Sequence, residues 1–269
     1  MPAKVITFHS YKGGTGKSFL SLNIAAYMSK IEKKKVIVID FDFRAPTLVH
    51  KFKPVINKVR FLNEYLEGKY SIEDVIFEQA KFLENGENLD LTFDVAYASP
   101  NTRDISEMQI KTRQWQQKAL TTLMGGLLQI KNDYDIIIID SSPGVTYDSL
   151  NAMSSSDAVI LVATPDMVDI QGTVDMSTDI YPSLVKFGAQ PALVLNKIPW
   201  EGENQPFDTT TIVNKLKAEA DLPVISQCPC YCDSTLLYNA ILIKENQNHK
   251  LINNVKEIVQ HLNNITPRD

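Results

Sequence analysis

The chain has 269 residues, a net charge of −5 and 44% apolar side chains, enough for one α/β core and too few for two full domains. The negative balance excludes a general affinity for nucleic acid and leaves only a local basic patch as a route to a polyanion. No apolar run approaches the roughly 18 residues that cross a bilayer, the N-terminus reads as a strand and not a leader, and the expectation is a cytoplasmic protein.

In chain order, the first element is the apolar run Val5–Phe8, a strand. It is followed by Lys12-Gly13-Gly14-Thr15-Gly16-Lys17-Ser18 and a helical pattern over Lys17–Lys30. A strand that enters a glycine-rich turn at a helix N-terminus gathers several backbone N–H groups at one point, which favours bound phosphate. The usual pattern, G-x-x-x-x-G-K-[ST], sets Lys on the β and γ phosphates and Ser or Thr on Mg2+. Here Tyr11 stands in place of the first Gly, and a second lysine, Lys12, precedes the two glycines. This K-G-G-x-G-K-[ST] form resembles the deviant Walker A motif of the MinD/ParA family of P-loop ATPases, whose early lysine crosses a dimer interface to the partner's nucleotide. The resemblance implies that Lys12, Gly13, Gly14, Thr15, Gly16, Lys17, Ser18 and Phe19 bind ATP. It also makes Lys12 and Lys17 catalytic and Ser18 a magnesium ligand. The basic cluster of Lys30 with Lys33, Lys34 and Lys35 is read as closing the helix C-terminus against its dipole.

The next strand, Val36–Ile39, runs into Asp40-Phe41-Asp42, two carboxylates in i, i+2 relation that face one side of the strand end. By the resemblance, Asp40 lies near the magnesium shell and Asp42 positions or activates the attacking water. The continuation Phe43-Arg44-Ala45-Pro46-Thr47-Leu48 departs from the D-x-D-P-Q of plasmid-partition ParA proteins and is similar to the corresponding segment of bacterial tyrosine kinases and Mrp-type carriers. From Asn57 to Glu87, two short helical patterns around Gly68 read as a helical excursion. A strand near Leu91–Ala98 and a helix over Trp115–Lys131 lead to the strand Ile136–Ile139. Asp140-Ser141-Ser142-Pro143-Gly144 then resembles the family's D-x-x-P-G switch, in which Asp140 holds Mg2+ and the Gly144 N–H senses the γ-phosphate.

A strand over Ala158–Ala163, a helix over Gly172–Phe187 and a strand over Ala192–Leu195 precede Asn196-Lys197-Ile198-Pro199. This matches the start of the N-K-x-D motif of GTPases, with Pro199 where the guanine-reading Asp would stand. The Asn196 amide still suits adenine, so ATP is expected over GTP. A helix over Thr209–Ala220 and a short strand near Val224–Ile225 lead to Cys228-Pro229-Cys230-Tyr231-Cys232. Such close spacing does not make a disulfide framework, and the preferred reading is packing around the base pocket, since by the resemblance this loop stands where MinD-like proteins carry a turn against the adenine. Zn2+ or Ni2+ held by Cys230 and Cys232 between two subunits, and redox sensing, are the others. Over Lys250–Asn263, Leu251, Ile252, Val255, Ile258, Val259 and Leu262 share one helical face, as a core-docking helix requires.

Strands alternating with helices predict a doubly wound, mainly parallel sheet with helices on both faces, a Rossmann-like P-loop NTPase. The whole chain, 1–269, is read as a single P-loop ATPase domain. The resemblance implies an ATP- and Mg2+-dependent switch that closes as a homodimer, opens on hydrolysis, and positions or partitions DNA or a protein complex through an activator or cargo not named by the sequence. Charge does not indicate DNA. Two alternatives are a metal carrier or cofactor-maturation ATPase using the Cys228–Cys232 cluster, and a tyrosine-kinase-like ATPase. The latter is disfavoured because the last tyrosine is Tyr238 and no C-terminal tyrosine cluster follows.

Overall fold

A computed structural model describes residues 2–78, 93–201, 205–231, 241–242 and 247–268. Runs rich in Ile and Val with few polar interruptions form strands buried on both faces. They are β1 (Lys4–His9), β2 (Val36–Phe41), β3 (Ile76–Glu78), β4 (Asp94–Ala96), β5 (Ile136–Ser141), β6 (Ala158–Ala163) and β7 (Gln190–Ile198). A two-stranded ribbon follows, β8 (Trp200–Glu201) with β9 (Gln205–Pro206), and then β10 (Val224–Pro229). Among the described residues the main sheet has the order β10-β7-β6-β1-β5-β2-β4-β3, with only the edge pair β3–β4 antiparallel. Side chains alternate between faces along each strand, so Ile6, Phe8, Val36, Val38, Ile136 and Ile138 enter one core, and Val5, Ile37, Ile39, Ile137 and Ile139 the other.

The helices are α1 (Lys17–Lys30), α2 (Leu48–Phe52), α3 (Leu62–Leu66), α4 (Thr102–Gln109), α5 (Arg113–Ile130), α6 (Tyr147–Ser154), α7 (Met167–Asp179), α8 (Tyr181–Lys186), α9 (Thr210–Lys215) and α10 (Leu251–Asn263). α1, α2 and α10 cover the first core, and α10 buries the six apolar residues expected of it. α5 covers the second core, and α7 and α8 extend that layer over β6 and β7. This is the expected doubly wound sheet. Lys34 hydrogen-bonds to the Asn263 side chain and pairs with Glu32 at 2.9 Å, in keeping with a turn-solvating role for that cluster. Among the described residues, no helix is long and apolar enough to cross a membrane.

Several expectations are corrected. The helix expected over Gly172–Phe187 is two helices. Asp166 starts α7 earlier, its carboxylate accepting from the Val168 and Asp169 N–H groups, and Pro182 in the first turn of α8 supplies no N–H to continue the preceding helix. The helix over Thr209–Ala220 widens after Lys215 into a π turn, Leu216–Ala220. The excursion from Asn57 holds one short α-helix and 3-10 turns before the edge strand β3, and its residues 79–87 lie outside the described residues. The strand read over Leu91–Ala98 is Asp94–Ala96, with residues 91–92 likewise outside.

Candidate nucleotide site

β1 delivers the chain to the carboxyl edge of the sheet, and residues 10–16 turn it back into α1. Gly14 at φ 81° and Gly16 at φ 98° take left-handed conformations that a Cβ would strain. Gly16 is also the N-cap of α1, which has neither a side-chain cap nor an acidic residue in its first turn. The positive end of the helix therefore has no anion within its own first turn. Lys17, the first residue of α1, is buried, and its ammonium forms no hydrogen bond or ion pair among the described residues. Asp140 and Asp42 stand near enough to feel its charge without touching it, which leaves the ammonium able to take an anionic acceptor.

β2 and β5 run side by side with Asp40 opposite Asp140, so the two carboxylates end on one level beside the loop. Their surroundings differ. Asp40 accepts from three backbone N–H groups: Oδ1 from Asp42 at 3.3 Å, and Oδ2 from Thr47 at 3.1 Å and Leu48 at 3.0 Å. It thereby fastens the start of α2, while burial, with Asp140 nearby, raises its pKa well above the ordinary range. Both oxygens of Asp140 are buried with no hydrogen-bond partner among the described residues. Burial pushes Asp140 up to about 6, against the pull of Lys17 and of the Ser18 hydroxyl, which lies close without meeting hydrogen-bond geometry. Two open carboxylate oxygens next to a hydroxyl form a hard-oxygen donor set that fits Mg2+.

Asp42 is half-buried, and Oδ1 accepts from the Arg44 and Ala45 N–H groups at 3.2 and 3.1 Å. Its Oδ2 accepts no hydrogen bond among the described residues, and burial raises its pKa. Two links join the flanking loops to the phosphate loop, the first of them long. The Thr47 hydroxyl donates to Ser18 Oγ at 3.4 Å, and the Gly144 N–H donates to the Ser10 carbonyl at 2.9 Å. Beneath them, burial and the nearby Lys17 lower the His9 pKa to about 3, so this imidazole is neutral; its Nδ1 meets Ser141 Oγ at 3.0 Å.

Lys12 does not point at its own loop. Its ammonium pairs with Asp166 at the start of α7, 2.9 Å away, with both groups well exposed. Tyr11 lies with its ring against Gly172 of the same helix, where an added Cβ would come within 2.3 Å. Asn196 is buried at the end of β7, and its Nδ2 donates to the Thr15 carbonyl at 2.8 Å. Its amide thus braces the loop. Phe19 is partly buried against the core under α1.

The cysteine reading divides. Cys228 is buried in the core, its thiol pushed up to about 12 by burial; Cys230 is half-buried, and Cys232 lies outside the described residues. Among the described residues, no group of three or more His, Cys, Asp or Glu side chains is placed to hold a metal, so zinc or nickel gains no support. Sequence reasoning missed Asp166 and Lys197 as partners of the loop. The N-cap signal of Asp166 before an apolar pattern would have found the first.

A family profile described as an AAA domain matches residues 3–185. A virulence plasmid ParA family protein of Chlamydia psittaci is 29% identical over 169 residues, 63% of this chain and 60% of that protein. The chain spans less than two thirds of the length of that relative and of an ATP-binding protein of Methanocaldococcus jannaschii, for which the share is 64%. Among solved structures, the septum site-determining protein MinD of Pyrococcus horikoshii, complexed with Mg-ADP, superposes with a TM-score of 0.74 at 19% identity, over 97% of this chain and 96% of that one. An ATP complex of a variant of Cyanothece McdA gives 0.78 at 18% identity, over 99% and 98%.

Proposed function

This chain belongs to the AAA-domain family of P-loop ATPases of the MinD/ParA type, and on that premise we propose that it is an ATP- and Mg2+-dependent dimerisation switch that positions or partitions DNA or a protein complex. The observation that carries the reading is Lys17, a buried residue whose ammonium makes no hydrogen bond or ion pair among the described residues, at the uncapped N-terminus of α1 and beside the open oxygens of Asp140. Triphosphate supplies the acceptor that this ammonium lacks.

Each residue then has a task. Lys17 and the loop N–H groups hold the phosphates, and Ser18 with Asp140 holds Mg2+, which when bound neutralises phosphate charge. Asp40 supports that end of the site from outside, because its oxygens already hold the backbone that leads into α2. Asp42, with one oxygen open and a raised pKa, orients the attacking water. Asn196 faces the adenine side. Lys12 leaves Asp166 and reaches the nucleotide of a second copy, as an arginine finger does. The exposed apolar side chains of Tyr11, Val145, Tyr147, Met167 and Val168 stand on the same edge as the loop, and a face-to-face partner would cover them.

The test is light scattering with a non-hydrolysable ATP analogue on the parent and on Lys12→Ala, with analogue binding measured alongside. The parent is expected to dimerise, and Lys12→Ala to bind the analogue and remain a monomer. A parent that stays monomeric at saturating analogue overturns the switch.

A further inference from the structure

We propose that Lys197 is a positioning residue of the nucleotide site, which aims the phosphate-loop amides by holding a loop carbonyl; this rests on the ATPase reading above. Lys197 follows Asn196 at the end of β7, with φ 59° in the left-handed region, where residues other than glycine are uncommon. From there its ammonium donates to the Gly14 carbonyl at 2.6 Å, and its Cε lies alongside Gly16. Asn196 takes the next carbonyl, that of Thr15, at 2.8 Å. Two consecutive side chains on β7 therefore grip two consecutive carbonyls of the phosphate loop.

The consequence follows from peptide geometry. In a trans peptide the C=O and the following N–H point in opposite directions, and no peptide bond described is cis. A Gly14 carbonyl held toward β7 turns the Thr15 N–H away from β7, and a held Thr15 carbonyl does the same for the Gly16 N–H. Neither N–H has a hydrogen-bond partner among the described residues, so both remain available to an anion in the cradle. Glycines at 14 and 16 let the chain take this shape but leave it free to take others. Lys197 narrows that freedom. Its contact is charge-assisted and is made to a loop carbonyl, so it acts on phosphate by orienting the backbone, and its charge adds a longer-range attraction.

A cradle aimed in advance helps substrate and transition state alike, so the loss is expected in KM and nucleotide affinity and not in kcat. The experiment compares the full-length parent with Lys197→Met and Lys197→Arg for Mg-ADP binding by calorimetry, steady-state ATP hydrolysis, and the thermal midpoint of the nucleotide-free protein. Lys197→Met is expected to bind Mg-ADP about tenfold more weakly, the scale of one charge-assisted hydrogen bond, and to raise KM with kcat within about twofold. Lys197→Arg, which keeps a cationic donor, should stay within about threefold of the parent. The nucleotide-free midpoint should fall by no more than about 3 °C in Lys197→Met, the scale of one exposed hydrogen bond, and should not move in Lys197→Arg. Unchanged affinity in Lys197→Met overturns the proposal while leaving the ATPase reading intact. So does a loss that arginine fails to restore or that tracks a larger fall in the midpoint. A parent that binds no Mg-ADP removes the ATPase reading and this proposal together.

Discussion

Gly16→Ala probes the brace between β7 and the phosphate loop, and its effect can be worked from two terms. With φ at 98°, any side chain at this position is strained, which for a left-handed non-glycine residue costs about 1–2 kcal/mol. The new Cβ would also lie 2.4 Å from Asn196 Nδ2, inside contact distance. The amide must move, and its hydrogen bond to the Thr15 carbonyl is lost, a further loss of about 1 kcal/mol. Gly16→Ala should therefore destabilise the nucleotide-free protein by about 2–3 kcal/mol in all. Urea unfolding followed by the fluorescence of Trp115 and Trp200 reads this directly.

The second term separates from the first in a double-mutant cycle. In an Asn196→Ala background the amide is absent, so the clash and the hydrogen bond drop out and only backbone strain remains. The two substitutions should then couple by about 1 kcal/mol, with the double variant more stable than the sum of the singles implies. A Gly16→Ala protein within about 0.5 kcal/mol of the parent would refute the strain assignment, and strictly additive substitutions would refute contact between Gly16 and Asn196 as the cause.

Three further outcomes are expected. Gly126→Ala improves helix propensity within α5, yet its Cβ would meet Tyr65 Oη at 2.1 Å and Ile72 Cβ at 3.2 Å, so a net loss of about 1–3 kcal/mol is expected from urea midpoints, and a stabilised protein would contradict it. Burial pushes Asp148 up to about 6 from 3.8, so the folded state binds this proton more tightly than the unfolded chain, and the penalty for ionising it grows across that window to about 3 kcal/mol. Asp148→Asn should gain stability relative to the parent as pH rises from about 4 to about 7, and parallel curves would refute the burial assignment. Cys228, buried and with its thiol pushed up to about 12, should resist alkylation in the native protein at mildly alkaline pH and react only on unfolding, as peptide mass analysis would reveal.

The phosphate loop was legible because its chemistry lies in consecutive residues: Lys12 to Ser18 need only follow a strand and open a helix. The strands Ala158–Ala163 and Ile136–Ser141 were legible for a similar reason, since β-branched runs need no distant information to declare themselves. What escaped was of two kinds. Short elements such as α4 and α6 span only about two turns, too little for a periodic pattern to stand out, although Asn101 and Thr146 mark their starts as N-caps. Long-range pairings escaped entirely. Asn196 meets Thr15 and Lys197 meets Gly14 across 181 and 183 positions of chain, and only the neighbouring places of β7, β6 and β1 in the sheet bring them together. The sequence-based role for Asn196 named a base contact and missed the brace.

The same sheet order gives the site two unlike sides. Toward β7 the loop is gripped by a buried amide and an ammonium, and the strands behind them are parallel neighbours fixed by the core. Toward β2 and β5 the contacts are sparse: one hydroxyl pair at 3.4 Å joins Thr47 to Ser18, and one backbone hydrogen bond joins Gly144 to Ser10. Contacts of that strength, each worth about 1 kcal/mol or less, are open to reversal by a ligand with even modest preference for one arrangement. Ser18, proposed to ligate the metal, is also the anchor of the Thr47 link, so the ligand that fills the site competes for the atom that holds the neighbouring loop. Asp40 limits how far this spreads, because its bonds to the Thr47 and Leu48 N–H groups keep the start of α2 in place. Movement on filling the site is therefore expected in residues 43–46 and 143–146, with the β7 side acting as the fixed wall against which they move.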